Sequence, residues 1–293
     1  MKTFGKVVLD SSACNIPIHN KGNIQAQIIV PPQTNKFDKV SLKFKQTIQT
    51  KLTSVRGCTF LPDGKMVLAC RSPSNQMKVF NPDGSVDFDL KEIGFVCDVE
   101  YVGDNSVAVT YGRKSLKINI IDVQTRKLMK ALYVGSSNNG VTFKGGKLIY
   151  CAGDQGLNMI SLSNESITSI TTTKMSSDAC VASQGNKLFY TNEDNHNVKC
   201  CDIQGKTLWT FKEKRTLSYP MGISVDNGGN VYVAGFSSHN VVVISTDGQR
   251  CRQLLSAKDG LHCPSAVVYD RTNNKLLISN YNGSAFVYDA VGE

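Results

Sequence analysis

The chain has 293 residues, 41% of them hydrophobic and 19% charged, and a formal net charge of +9. That balance excludes intrinsic disorder and collagen-like structure, and no apolar run approaches the roughly 18 residues a membrane helix needs. At the N-terminus the apolar stretch Val7-Val8-Leu9 meets Asp10 too soon for a signal-peptide core, and ten cysteines are too dilute for a disulfide scaffold, so the thiols read as reduced and buried in a cytoplasmic protein.

In chain order, residues 1–38 read as an N-terminal extension with short strands at 7–10 and 26–30. Residues 40–48 follow, where Leu42, Phe44 and Ile48 alternate with Ser41, Lys43, Lys45 and Thr47. This is the pattern of a half-buried strand. Beyond it one apolar-turn-apolar unit recurs six times, at 57–68, 97–108, 140–150, 179–190, 222–233 and 266–278. The Lys or Asn closing each turn sits at 65, 105, 147, 187, 230 and 275, a spacing of 40 to 45. That is the period of a four-stranded propeller blade. Each run is short, rich in Val, Ile, Tyr and Phe, and broken by Asp-Gly, Gly-Gly or Asn-Asn, residues that supply the positive φ of tight hairpins. A third run follows in every unit and a fourth in most.

The last unit stops after its third strand, leaving a sheet edge that must be covered. The strand at about 40–48 is expected to cover it, closing the ring as the outer strand of the last blade. The fold expected is an all-β, six-bladed β-propeller of four-stranded antiparallel blades over residues 39–293.

The fifth unit carries Pro220, Gly222, Ile223, Val225, Asp226, Gly229, Asn230, Tyr232, Val233 and Ala234, then Asp247-Gly248 after a third strand. In these residues it closely resembles the NHL repeat, which builds six-bladed propellers. The first unit keeps Leu61-Pro62-Asp63-Gly64, and the others match in apolar spacing. The whole chain resembles the C-terminal part of the tripartite-motif (TRIM) proteins expanded in bivalve molluscs. That resemblance implies the substrate-recognition end of a ubiquitin ligase. No Cys-x-x-Cys, zinc-spaced Cys/His cluster or heptad run occurs here, so ligase activity is not expected of this chain.

Enzymatic propellers place their groups at the inner mouth of the channel. The residues near the inner-strand starts here are Arg56, Asp98, Asn139, Asp178, Met221 and Ser265, too few oxygen ligands for a calcium centre. The four histidines, His19, His196, His239 and His262, fall in different units, and Cys200-Cys201 in a strand points its thiols to opposite faces. A non-catalytic protein with no cofactor and no metal is expected.

Binding is expected on the face that carries the longer loops. Cations and aromatics mix there: Arg56, Arg71, Tyr111, Arg113, Lys114, Lys212, Lys214, Arg215, Tyr219, Phe236 and Tyr281. Such residues suit a protein hot spot; the alternative is single-stranded RNA, with phosphates on the cations and bases on the rings. Residues 1–48 hold seven Lys against two Asp, more than half of the net charge, and Asp154, Asp178, Glu193 and Asp194 are expected to form an acidic sector on the same face. A protein partner is therefore favoured, no membrane is expected, and this fragment reads as a monomer.

Overall fold

The computed structural model describes residues 36–71, 75–91 and 93–291. The short strands expected at 7–10 and 26–30 lie outside the described residues. After a single turn of helix, α1 (Lys36–Lys39), strand β1 (Ser41–Gln49) leads into the first blade: β2 (Val55–Phe60), β3 (Met66–Cys70), β4 (Met77–Phe80) and β5 (Val86–Leu90). Blade two is β6 (Asp98–Gly103), β7 (Ser106–Thr110), β8 (Lys117–Asp122) and β9 (Lys127–Tyr133); blade three is β10 (Val141–Lys144), β11 (Lys147–Cys151), β12 (Leu157–Ser161) and β13 (Ile167–Thr171). Blade four is β14 (Val181–Gln184), β15 (Lys187–Asn192), β16 (Asn197–Asp202) and β17 (Thr207–Phe211). Blade five is β18 (Pro220–Val225), β19 (Val231–Gly235), β20 (Asn240–Ile244) and β21 (Cys251–Leu255), and the chain ends in β22 (Pro264–Asp270), β23 (Lys275–Asn280) and β24 (Ser284–Val291).

These strands form six separate four-stranded antiparallel sheets, a six-bladed propeller. Five blades are built from consecutive strands. The sixth has the order β1-β24-β23-β22, so β1 closes the ring, paired from Ser41 opposite Val291 to Gln49 opposite Ser284. The closing strand sits where the missing edge required it, and Val40 and Ile48 are buried at its two ends. Phe37 joins the core between blades five and six, and Arg252 donates to the carbonyls of Phe37 and Val40. Packing into the propeller thus begins just ahead of residue 39.

Sequence pattern explains the layering inside a blade. The second and third strands, such as Met66–Cys70, Val231–Gly235 and Asn240–Ile244, are buried throughout because other blades cover both of their faces. Outer strands alternate or are largely exposed, as in β9. The tight turns depend on left-handed backbone: Asp104 (φ 47°) and Asn105 (φ 57°) in blade two, Gly145 (φ 54°) and Gly146 (φ 73°) in blade three. Cys200 and Cys201, both fully buried, enter two different core clusters, as adjacent strand residues must.

Inner strands meet around the axis in two alternating ways. At Gly57, Gly140 and Gly222, in blades one, three and five, a Cβ would collide with the inner strand of the next blade. It would lie 2.7 Å from the Asp98 Cα, 2.8 Å from the Ala179 carbonyl oxygen and 2.6 Å from the Val267 nitrogen. The other three junctions are bridged by hydroxyls: Thr110 to the Asn139 carbonyl (2.5 Å), Thr191 to Met221 (3.0 Å) and Ser265 to Val55 (2.7 Å). Hydroxyls also cross the glycine junctions, with Thr59 accepting from Tyr101, Thr142 meeting Ser183 and Ser224 accepting from Tyr269, so the glycine contact is what sets those three junctions apart.

Candidate functional site

The loop face is organised around the mouth of the axial channel. A bulge between Val55 and Gly57 turns Arg56 toward the axis, and similar irregularities open β18 and β22. Arg56 and Arg71 grip opposite oxygens of one carboxylate, Asp178, at 3.0 and 2.8 Å. Arg71 also reaches the Cys97 sulfur at 3.1 Å. Asp178 is held in turn by Glu193, which is 1% exposed: its carboxylate accepts from the Asp178 backbone N–H at 2.7 Å and from the Ser176 hydroxyl. Burial pushes the Glu193 carboxyl above its ordinary range despite those hydrogen bonds.

From this hub an aromatic row crosses blades four to six. His196 lies 6.4 Å from Tyr219, Tyr219 lies 5.8 Å from Phe236, and Phe236 lies 5.7 Å from Tyr281 (ring centroids). The Arg56 guanidinium sits 5.2 Å from the Tyr281 ring centroid and Ser54 bonds the Tyr281 hydroxyl at 2.6 Å. On the other side Arg71 and Lys114 lie over Phe95 at 5.0 and 6.0 Å. Such contacts are worth about 0.5–1 kcal/mol each at exposed sites. Together they join blades one, two, four, five and six into one half-buried strip.

Most of the expected site residues lie on this face. Arg56, Arg71, Tyr219, Phe236 and Tyr281 are part of the strip or its hub, and Arg113, Lys114, Lys212, Lys214 and Arg215 are exposed around it. Tyr111 does not join them. It is 5% exposed, packs in the core between blades one and two, and its hydroxyl accepts from Asn119 at 2.9 Å. The expected acidic sector is also largely neutralised: Asp178 is shared by two arginines, Asp154 pairs with Lys174 at 2.9 Å and Glu193 is buried. Only Asp194 remains exposed and outside these contacts.

Phe95 and His196 joined the site without being expected there. Phe95 stands in a short loop with no periodic signal. His196 and His239 are left-handed (φ 49° and 50°), and each Nδ1 accepts the backbone N–H that opens the next blade, Tyr219 at 2.9 Å and Cys263 at 3.0 Å. The histidines clip one blade to the next. The His196 pKa is lowered, first by desolvation and then by Lys214 and Lys212. Although they come from different units, the ring of blades stacks His239 on His262 at 5.2 Å and brings Cys263 alongside, with ligand atoms within 4.8 Å of one another. His239 Nδ1 already accepts the Cys263 N–H, so that nitrogen is engaged within the fold.

Below the hub runs an axial cavity of about 350 Å³, lined from Arg56 to the turn residues Pro62, Thr272 and Asn273. Asp98 and Glu100 line it from β6. Asp98 accepts from the Val99 and Val141 N–H groups at 2.9 and 3.0 Å, and Glu100 from Phe143 at 3.2 Å. Desolvation dominates both: the Asp98 pKa is pushed up to about 8 and the Glu100 pKa to about 7, against the pull of those N–H groups and of Arg71 on Asp98 and Arg271 on Glu100. Burial also pushes the neighbouring Cys58 and Cys180 thiols up, so neither supplies charge.

A native carboxyl with a raised pKa holds a proton that the unfolded chain releases, so its contribution falls as pH rises from the ordinary carboxylate range through about 7 for Glu100. Glu100→Gln keeps the acceptor for Phe143 and removes that loss. We expect the variant to gain up to about 3 kcal/mol over wild type above pH ~8 and little near pH ~4, read by urea unfolding at both ends. An equal difference at both pH values would refute the assignment.

No protein-family model matches the chain. No curated protein matches it. Among solved structures it is similar to a structural genomics protein of unknown function from Bacteroides thetaiotaomicron, with a TM-score of 0.68 and 10% identity over 86% of this chain and 76% of that one. At that identity the likeness is one of fold: the chain is a six-bladed β-propeller.

Proposed function

We propose that this propeller is a non-catalytic recognition module that captures a protein partner on its loop face. The observation that carries the reading is the continuous strip from His196 through Tyr219, Phe236 and Tyr281 to Arg56 and Arg71. Tyrosine and arginine anchors at the centre of a rigid surface are what protein hot spots use. With most nearby carboxylates internally paired, exposed Arg113, Lys114, Lys212, Lys214 and Arg215 bias the face toward an acidic partner. The NHL-like fifth blade supports a role as the recognition end of a TRIM-type ligase in the cytoplasm; among the described residues no helix is long and apolar enough to cross a membrane.

The same cations would suit single-stranded RNA, but the ring geometry favours protein. Phe236 meets Tyr281 at 87° and Tyr219 at 50°, so the rings cover one another instead of standing apart as platforms for bases. Proximity labelling by the propeller fused to a biotin ligase tests this. Phe236→Ala with Lys214→Glu is expected to remove the principal labelled proteins, as loss of about 2 kcal/mol or more at a hot spot would. An unchanged labelled set rejects the loop face, and a set abolished by ribonuclease transfers the reading to RNA.

A further inference from the structure

The axial cavity has a chemistry separate from the loop face. At the ring position of Glu100 the other blades carry Thr59, Thr142, Ala182, Ser224 and Val268, and at that of Asp98 they carry Gly57, Gly140, Cys180, Gly222 and Ala266. At these two levels the lumen is thus a sleeve of small and hydroxyl side chains with Asp98 and Glu100 on one wall, both from β6, while Arg56, Asp270 and Arg271 line the cavity nearer its ends. Unpaired carboxylates are scarcely ever enclosed in protein. Yet every nearby cation is engaged elsewhere. Arg56 and Arg71 hold Asp178, and Arg271 donates to the carbonyls of Val225 (2.9 Å) and Ser183 (2.6 Å). None of the ion pairs among the described residues includes Asp98 or Glu100, and Glu100 Oε2, lining the cavity, has no hydrogen-bond partner among them.

We propose that the axial cavity binds a small organic cation, a primary ammonium on a short aliphatic stem, with Asp98 and Glu100 as its anionic wall. The ammonium would supply the missing counter-charge and donate to Glu100 Oε2, while the stem lies against Val268, Ala182 and the glycine backbones. At about 350 Å³ the cavity falls at the small end of ligand sites. A bare divalent metal fits the same wall poorly. Calcium wants six to eight oxygens, whereas both Asp98 oxygens and one of Glu100 already accept backbone N–H groups, whose positive ends face the carboxylates. Thr59 and Ser224 are likewise acceptors for Tyr101 (3.3 Å) and Tyr269 (2.9 Å). Because burial raises both carboxyl pKa values, binding of a cation beside them is coupled to proton release.

Calorimetric titration of the full chain with putrescine (1,4-diaminobutane) decides the matter. One equivalent is expected to bind near pH ~8.5, with affinity at least about tenfold weaker near pH ~5.5, where both carboxyl groups are protonated. Glu100→Gln, which retains the acceptor for Phe143, is expected to weaken binding by about tenfold or more while unfolding as cooperatively as wild type. Tetramethylammonium, with no N–H to donate, is expected to bind far more weakly. No heat with millimolar putrescine, equal binding by Glu100→Gln, or displacement of putrescine by equimolar calcium would each overturn the proposal. A loop-face variant such as Lys214→Glu should bind putrescine normally, so failure of this site and of the loop face are read separately.

Discussion

Deleting the chain through Gln49 is expected to leave a protein that no longer unfolds cooperatively. The deletion exposes β24 along its whole length from Ser284 to Val291 and strips Phe37, Val40 and Ile48 from the cores of blades five, six and one. Each fully buried apolar side chain contributes about 1.5–3 kcal/mol, and a domain has only about 5–15 kcal/mol in total. Three such side chains and one sheet edge therefore remove most of the stability. Circular dichroism melts and binding of a hydrophobic dye should report a broad transition and exposed core, and a synthetic peptide covering 36–50 should restore part of the cooperativity. A truncated chain that melts at the wild-type midpoint would show that the closing strand is dispensable.

Gly140→Ala should destabilise the ring by about 3 kcal/mol, near the upper end for an overpacked core position. The added methyl group would enter the backbone of the neighbouring inner strand, 2.8 Å from the Ala179 oxygen and 2.9 Å from the Val181 nitrogen. That backbone has no room to retreat, because β14 is paired to β15 from Val181 to Gln184. Thr191→Val is the informative contrast. It breaks the hydroxyl bridge to Met221 at the next junction and should cost only about 1 kcal/mol, the net value of one hydrogen bond. Urea titrations of the two variants compare the two contacts directly; equal losses would show that the glycine contact is no tighter than the hydroxyl bridge.

What could be read beforehand follows from the range over which each feature is determined. Hairpins are local, so the six turns at 65, 105, 147, 187, 230 and 275 fixed the blade period, and the alternation of Leu42, Phe44 and Ile48 marked β1 to within a residue. Alternation does not say what lies across the axis. Asp178 looked like part of an acidic sector until the ring brought Arg71, 107 positions earlier, onto one of its oxygens. Tyr111 looked like a loop aromatic, but the chain turns it back into the core beside Val96 and Val109. His196 and His239 gave no signal because their role depends on left-handed backbone and on an N–H in the following blade. Glu100 was legible in principle: aligning the six units sets it against Thr59, Thr142, Ala182, Ser224 and Val268, the one carboxylate in that ring.

The β1 to β24 pairing also bears on how the molecule is made. Ser41 and Val291 are bonded across 250 positions, so β1 leaves the ribosome long before its partner β24. Each of the first five blades has its four strands in succession and can form as they emerge, whereas blade six is completed only once β24 meets β1. Through that interval β1 is an unpaired strand carrying Leu42, Phe44 and Ile48, a template for pairing with another chain. Its lysines at 43 and 45 discourage such pairing until β24 arrives.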